Sequence, residues 1–491
     1  MSHQWSGEQE KFIESVAELC QEIKAIKGRG SKEVGNLQLD SVAGSGKTSV
    51  IVHAAQFAPN GSKFLAFNKD IAAELKTRLP STCEASTFHA MCFRFLKQRL
   101  PSGLKVNGFK TYDMVRSLMP DMEKGRSDIK TLVSLCKNNG VGILEPLDFA
   151  TVENLREDAD IFNEEIGNEA LVDSAIRIMK KADKSLSEID FDDMIYLTLK
   201  LVRERGWMMD RHPLVFLDEA QDTNAVQLAL IPEFADNLVA VGDEHQAIYA
   251  FRGAGSNSMA NIEKLFNTNR MGMTITWRCG KRIVEKAQQF VPHIKEAPNA
   301  GEGELLFRDH SCVVEDIEKD SMVLCRNNFP LFEVAMKLLL QRKTFKMRGK
   351  FPSQLIRFVR GFKAKTIQEF RVRLYEWWEK RQVDLAKKEK WGVLAREEDK
   401  FKCLDMLQKE STDVDDLLYT LDSMMTGRVG PVLSTVHGAK GLEADHVMLL
   451  RPDLMPSKYA TTEEALQQEE NLQYVAVTRA KQKLVYYVEE G

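Results

Sequence analysis

The stretch "DSVAGSGKTSV", Asp40 to Val50, constrains this chain more than any other part of it. Gly44 and Gly46 let the backbone turn tightly and aim successive N–H groups at one point, which makes an anion cradle. Ala43 and Ser45 supply the intervening backbone. Lys47 is then in reach of the β- and γ-phosphates of a nucleotide, and the Thr48 hydroxyl in reach of a Mg²⁺ ion. The helix that starts here directs its positive end at the same charge. Ser41 stands where the pattern G-x-x-x-x-G-K-[ST] has its first glycine.

A phosphate loop needs carboxylates, and "PLVFLDEAQDTN", Pro213 to Asn224, provides them. Its short apolar run reads as a buried parallel strand that delivers two acids to its C-terminal end. Asp218 is the metal-side acid, and Glu219 the group that orients and deprotonates the attacking water. In "NLVAVGDEHQAIYAFRGA", Asn237 to Ala254, a second buried strand ends at Gly242-Asp243. Gln246 follows as an uncharged sensor of the γ-phosphate or its water. Tyr249, Phe251 and Arg252 come next, two rings and a guanidinium of the kind that stack single-stranded bases and hold their backbone.

Composition sets the outer bounds. At 491 residues the chain is too long for one ordinary core, so two to four domains are expected. Hydrophobic residues at 43% and charged residues at 29% suit a globular protein. No apolar run approaches a membrane span, and "MSHQWSGEQEKF" lacks a signal peptide's regions, so the expected location is the cytoplasm. None of the eight cysteines forms a C-x-x-C pair, which points to reduced thiols rather than a zinc or iron–sulfur site. The net charge of −4 hides local imbalance: Ala335 to Gln368 contains no Asp or Glu while Lys and Arg recur throughout. That stretch reads either as a phosphate-backbone surface or as a solvated face with a basic bias.

The motifs, taken in order, resemble those of the UvrD/Rep-type superfamily 1 DNA helicases, including their eukaryotic F-box branch. Gln9 in "WSGEQEKF" resembles the glutamine that reads adenine, and "SVAGSGKTS" resembles motif I. "FLAFNKDIAAEL", with Phe67 and Asn68, resembles motif Ia, and "STFHAMCFRFL", with Thr87 and His89, the DNA-contacting T-F-H motif. "DEAQD" resembles motif II and "VGDEHQAIYAFRGA" motif III, with Phe251 where the family usually has tryptophan. In "TITWRCGKRI", Arg278 matches the motif IV arginine and Trp277 replaces the usual tyrosine. "LSTVHGAKGLEADHV" resembles motif V and "EENLQYVAVTRAKQKL" motif VI, with Arg479.

The resemblance implies an α/β protein of two RecA-like P-loop NTPase cores with parallel sheets, each carrying an inserted, mainly helical subdomain. The expected plan is a first core over 1–95 and 185–273 with a helical insertion at 96–184. A second core follows over 274–350 and 428–491, with an accessory insertion at 351–427 that is far shorter than the family's. ATP is expected between the cores, with Arg278 and Arg479 as arginine fingers. Glu443 would bond the ribose or couple the cores, and His437 and Lys440 would face DNA. The implied activity is ATP- and Mg²⁺-dependent movement on single-stranded DNA, 3′ to 5′, unwinding duplex at junctions. The expected partners are replication, repair or recombination proteins, and the expected working state is a monomer. With twelve residues after Arg479, no appended nuclease is expected there. Two other readings stay open: a translocase that mainly strips proteins from DNA, and a nucleotide-gated binding module. An RNA track is a further alternative, for which no residue recognisably reads a 2′-hydroxyl.

Overall fold

The computed structural model describes residues 5–26, 34–100, 103–120, 125–159, 161, 166–248, 257–387 and 390–489. The chain divides into two compact units, Met1–Ser41 with Gly46–Met273, and Val42–Ser45 with Thr274–Gly491.

The first unit is built on six parallel strands: β1 (Asn36–Ser41), β2 (Ser62–Leu65), β3 (Cys83–Ser86), β4 (Val215–Leu217), β5 (Leu238–Gly242) and β6 (Thr268–Met273). Their order across the sheet is β3-β2-β4-β5-β1-β6. Because successive side chains leave opposite faces of a strand, the near-continuous apolar runs feed two cores. Leu39, Phe64, Phe216, Val239 and Val241 pack on one face with the helices Gly7–Ile26 and Lys47–Ala54. Leu65, Val215, Leu217, Leu238 and Ala240 pack on the other with the inserted helices. Parallel strands need crossovers, and helices cover both faces.

The inserted helices include Lys110–Leu118, Arg126–Asn139, Phe149–Asp158 and Asn168–Ala182. They close on the helix Phe191–Arg205 through four buried charges. Lys110 Nζ lies 2.7 Å from Asp193, and Lys137 Nζ lies 3.0 Å from Asp190 and 2.8 Å from Asp193. Asp190 and Asp193 also form the capping box that starts the helix Phe191–Arg205. The same carboxylates therefore start one helix and anchor two others.

The second unit holds another parallel six-stranded sheet: β7 (Glu304–Asp309), β8 (Met322–Cys325), β9 (Lys346–Met347), β10 (Val432–Thr435), β11 (Ala444–Leu450) and β12 (Ala480–Val488), in the order β7-β12-β11-β8-β10-β9. Between β9 and β10 run four helices, Phe351–Gly361, Ile367–Lys387, Trp391–Glu410 and Val414–Thr426. Several of their aromatic residues pack together: Phe358 meets Trp377 at 4.9 Å, Phe362 meets Phe370 at 5.4 Å, and Lys400 lies 4.7 Å over the Phe358 ring. The fold is thus α/β with two parallel-sheet cores, each interrupted by helices. Among the described residues no helix is long and apolar enough to cross a membrane.

Candidate active site

Most of the first unit's candidate residues follow the C-terminal ends of its strands, the edge where open parallel sheets bind ligands. After β1, Gly44 and Gly46 have φ of +74° and +84°, a conformation that glycine enters freely. Gly46 is the residue immediately before the helix Lys47–Ala54, so that helix starts on the loop. Gln9 is buried, its amide nitrogen 3.1 Å from where a Gly46 Cβ would stand, and its amide oxygen accepts from the Ser6 N–H at 2.9 Å. Ser41 is buried and its hydroxyl donates to the Gly242 carbonyl at 2.8 Å, so the residue that replaces glycine ties β1 to the end of β5.

After β4 the chain turns at Glu219, whose φ of 53° and ψ of 43° place a non-glycine residue in the left-handed region. Such a conformation costs roughly 1–3 kcal/mol and clusters at functional sites. The Thr48 hydroxyl donates to Asp218 Oδ2 at 3.1 Å. Burial, then the neighbouring Glu219 carboxylate, pushes the Asp218 carboxyl up to about 7 against the pull of Lys47. This oxygen pair, short of positive charge, has the donor chemistry of a Mg²⁺ site. Lys47 Nζ lies 3.9 Å from Asp243, which follows β5, and Gln246 donates to that same carboxylate at 2.6 Å.

Gln221 and Asp243 were not among the residues singled out from the sequence. The Gln221 amide donates to Glu219 Oε2 at 2.6 Å while its oxygen accepts from the Asp243 N–H at 3.0 Å. One buried side chain therefore holds both the Glu219 carboxylate and the loop that carries Gln246. The adjacency of β4 and β5 creates this bridge. Its sequence signal was the glutamine inside "DEAQD".

On β2 and β3 the edge changes character. Phe67 is 47% exposed. Asn68 caps the helix Lys69–Arg78 and Thr87 caps the helix Phe88–Arg99, each accepting backbone N–H bonds through its side chain. His89 is held neutral by burial, with the Asp192 carboxylate opposing, and its ring lies 6.5 Å edge-on from that of Phe191. Phe191, 59% exposed, was also missed; the capping box in "EIDFDDM" would have marked it as the first, solvent-facing residue of its helix. Tyr249, Phe251 and Arg252 lie outside the described residues.

In the second unit the Trp277 N–H donates to the Gly44 carbonyl at 2.8 Å, and the Ala43 N–H donates to the Tyr474 hydroxyl at 2.8 Å. Ser45 is buried. Trp277 is 43% exposed and Arg278 partly buried. Glu443 lies 2.8 Å from Arg278 and 2.7 Å from Lys481. Burial opposes its ionisation, but Lys481 and Arg278 outweigh it and hold the carboxyl below the usual range. Arg479 is 1% exposed, its guanidinium bonded to the carbonyls of Val475 and Leu442 and to the Thr478 hydroxyl. Glu443 and Arg479 precede the paired strands β11 and β12, whereas His437 follows β10, half-buried, with Lys440 three residues on.

Residues 31–267 match the UvrD/REP helicase N-terminal domain, and residues 252–490 match the UvrD-like helicase C-terminal domain. The chain belongs to the UvrD/REP helicase family. Its curated relatives include ATP-dependent DNA helicase PcrA of Leuconostoc citreum, 27% identical over 296 residues, and that of Bacillus subtilis, 28% identical over 291. These alignments take in 53% and 52% of this chain but only 38% and 37% of the relatives' lengths. Among solved structures, the arterivirus nonstructural protein 10 helicase overlaps 92% of this chain and 59% of its own, at 12% identity and a TM-score of 0.35, too loose to bear on the fold. Within this UvrD/REP chain, the glycine loop after β1 and the acids after β4 lie at the same edge of the first unit's sheet.

Proposed function

We propose that this UvrD/REP-family chain is an ATP-driven motor that moves on single-stranded DNA, 3′ to 5′, and unwinds duplex as it goes. The observation that carries the reading is the partly buried set of hydrogen bonds Thr48–Asp218, Glu219–Gln221–Asp243 and Asp243–Gln246, which runs from the glycine loop to the proposed water-activating acid. ATP would take the loop's N–H groups and Lys47, with adenine at Gln9 and Trp277. Thr48 and Asp218 would hold Mg²⁺, whose charge screens the phosphates during transfer. Glu219 takes the proton of the attacking water, and Gln246 orients that water. Arg278 and Arg479 supply charge to the phosphoryl group, with Glu443 presenting Arg278.

Coupling to the track is favoured by strand order. Phosphate residues follow β1, the acids follow β4, and Phe67, Thr87 and His89 follow β2 and β3. At about 4.8 Å per strand, fuel and track would lie within roughly 20 Å on one edge. Bases stacked on Phe67 and Phe191, near Asn68, would be passed on once per cycle. The working form is a monomer on DNA in the cytoplasm. Unwinding of matched 3′-tailed and 5′-tailed duplexes with ATP and Mg²⁺ tests activity, substrate and polarity together. The expected result is product from the 3′-tailed substrate alone. ATPase turnover without strand separation from either overturns the unwinding reading in favour of a translocase that displaces proteins.

A further inference from the structure

Asn224 closes the segment "PLVFLDEAQDTN", and the side chains it reaches lie outside every motif. It starts the helix Ala225–Leu230 with a capping box: its side-chain oxygen accepts from the Gln227 N–H at 2.9 Å, and the Gln227 side chain accepts from the Asn224 N–H at 2.9 Å. With the oxygen engaged by the helix, the amide nitrogen is left to donate elsewhere, and it bonds Asn138 Oδ1 at 2.8 Å. Asn138 and Ser134 stand one turn apart on the helix Arg126–Asn139. The Asn138 amide donates to the Ser134 carbonyl at 2.9 Å and to its hydroxyl at 3.4 Å, and that hydroxyl donates to Asp192 Oδ2 at 2.6 Å. Asp192 directly follows the exposed Phe191, and its carboxylate is the charge that opposes the effect of burial on His89. A line of four side chains, every donor pointing the same way, therefore runs from just beyond the turn that starts at Glu219 to the proposed track residues Phe191 and His89.

Docking of the inserted helices does not call for this line. The helix Arg126–Asn139 is already fixed by Lys137, which reaches Asp190 and Asp193, and by the buried side chains of Ile129, Leu132, Val133 and Cys136. Asn224, Asn138, Ser134 and Asp192 are instead half-buried, so water competes for each of their bonds. Burial pushes the Asp192 carboxyl up, and the Ser134 hydroxyl, then Lys137, draw it back. A base laid on the neighbouring Phe191 ring would take more water from Asp192, and a carboxylate with less water holds its remaining donors more tightly.

We propose that Ser134 and Asn138 are positioning residues, which carry occupancy of the single-strand track to the turn that holds Glu219. The inference rests on the proposed motor function and names the route by which the track regulates hydrolysis. Tightening at Asp192 steadies Ser134, Asn138 and then Asn224, five residues along the chain from Glu219. Gln221 lies between those two and holds the Glu219 carboxylate, so the acid is best placed when the track is filled.

The test uses the full chain, its ATP turnover read with and without a single-stranded oligothymidylate, beside affinity for that strand and melting temperature. In Ser134→Ala and in Asn138→Ala, turnover with the strand should fall about tenfold, the scale of one hydrogen bond to a charged group. Turnover without the strand, strand affinity and melting temperature should hold. Ser134→Thr keeps the hydroxyl and should keep the stimulation. Because the two side chains act in one line, the double variant should lose no more than the worse single one. Normal stimulation in both single variants overturns the proposal, as do additive losses in the double variant. A parallel fall with and without the strand, at a lowered melting temperature, overturns it too and leaves the pair as docking contacts. A native chain whose turnover ignores the strand overturns the motor reading and this inference together, whereas native stimulation with unaltered variants overturns this inference alone.

Discussion

Along the C-terminal edge of the first sheet, rings reach solvent while the charges are engaged with one another. Along the helix Phe351–Gly361 the rings pack against neighbouring rings and the charges reach solvent. Phe67 and Phe191 are exposed, the latter beside a half-buried His89, whereas Lys47, Asp218, Glu219 and Asp243 close on each other and on glutamines. An exposed ring can stack a base that has left its helix, whereas a ring packed against its neighbours cannot. The difference teaches that base stacking belongs to the first surface.

The largest effect is expected at the charge-engaged edge. Lys47→Ala removes the phosphate clamp and should abolish ATP turnover with a fall in nucleotide affinity. Glu219→Gln should bind ATP and hydrolyse it at a residual rate, which nucleotide binding and single-turnover hydrolysis resolve. Gln221→Ala frees Glu219 from its anchor without touching the phosphate cradle, so kcat should fall while ATP affinity persists. Normal turnover in Glu219→Gln would remove the acid's assigned role.

The two arginines differ in the same way as the two surfaces. Arg278 is partly exposed and pairs with an acid, so Arg278→Ala should fold normally and lose about 10³-fold or more in kcat if it is a finger. Arg479 is buried on backbone carbonyls, so Arg479→Ala should also lower thermal stability, at about 1–3 kcal/mol for each carbonyl left unpaired. Arg479→Lys keeps a charge but not the fork, and separates the two contributions. Equal melting temperatures for the native chain and Arg479→Ala would contradict the packing.

A third effect tests whether the buried charges that carry Phe191 are a scaffold. Lys137→Met leaves Asp190 and Asp193 short of a counter-charge in the interior, which should cost about 3–5 kcal/mol in chemical denaturation. Pairing it with Asp190→Asn should recover part of the loss. A loss under about 1 kcal/mol in the single variant would mean that these charges reach water in solution.

Much of this was legible in the sequence because it is local. The loop around Gly44 and Gly46, the strand that ends at Asp218-Glu219 and the order of motifs are contiguous patterns, and both parallel-sheet cores follow from them. Residues that act through a neighbouring strand were not legible. Gln221 meets Asp243 only because β4 and β5 are adjacent, and Lys137 meets Asp190 across 53 positions. Arg479 matched its motif in sequence, yet its burial on three partners comes from the packing of the helix Glu463–Val477 against β12. Asn68 and Thr87 matched DNA-contact motifs, and the fold uses their side chains as helix caps, a role that short polar residues before helices carry in any chain.

The smallest effect sharpens the comparison most. Stacking a base on an aromatic side chain is worth roughly 1–3 kcal/mol, so Phe67→Ala and Phe191→Ala should each weaken single-strand binding by about 5- to 150-fold. Duplex binding and its salt slope should be spared, since neither ring carries charge. Phe251→Ala should behave likewise, cripple unwinding and spare much of the DNA-independent ATPase, because phosphate contacts and the acids are untouched. Phe251→Trp should be tolerated. The rings and the side chains behind them then form a dissociation: ring variants lose the single strand, and Ser134→Ala keeps the strand but loses the turnover it stimulates. If Phe67→Ala and Phe191→Ala weaken both forms equally, the exposed rings support the local fold instead of gripping bases, and the phosphate contacts alone must hold the track.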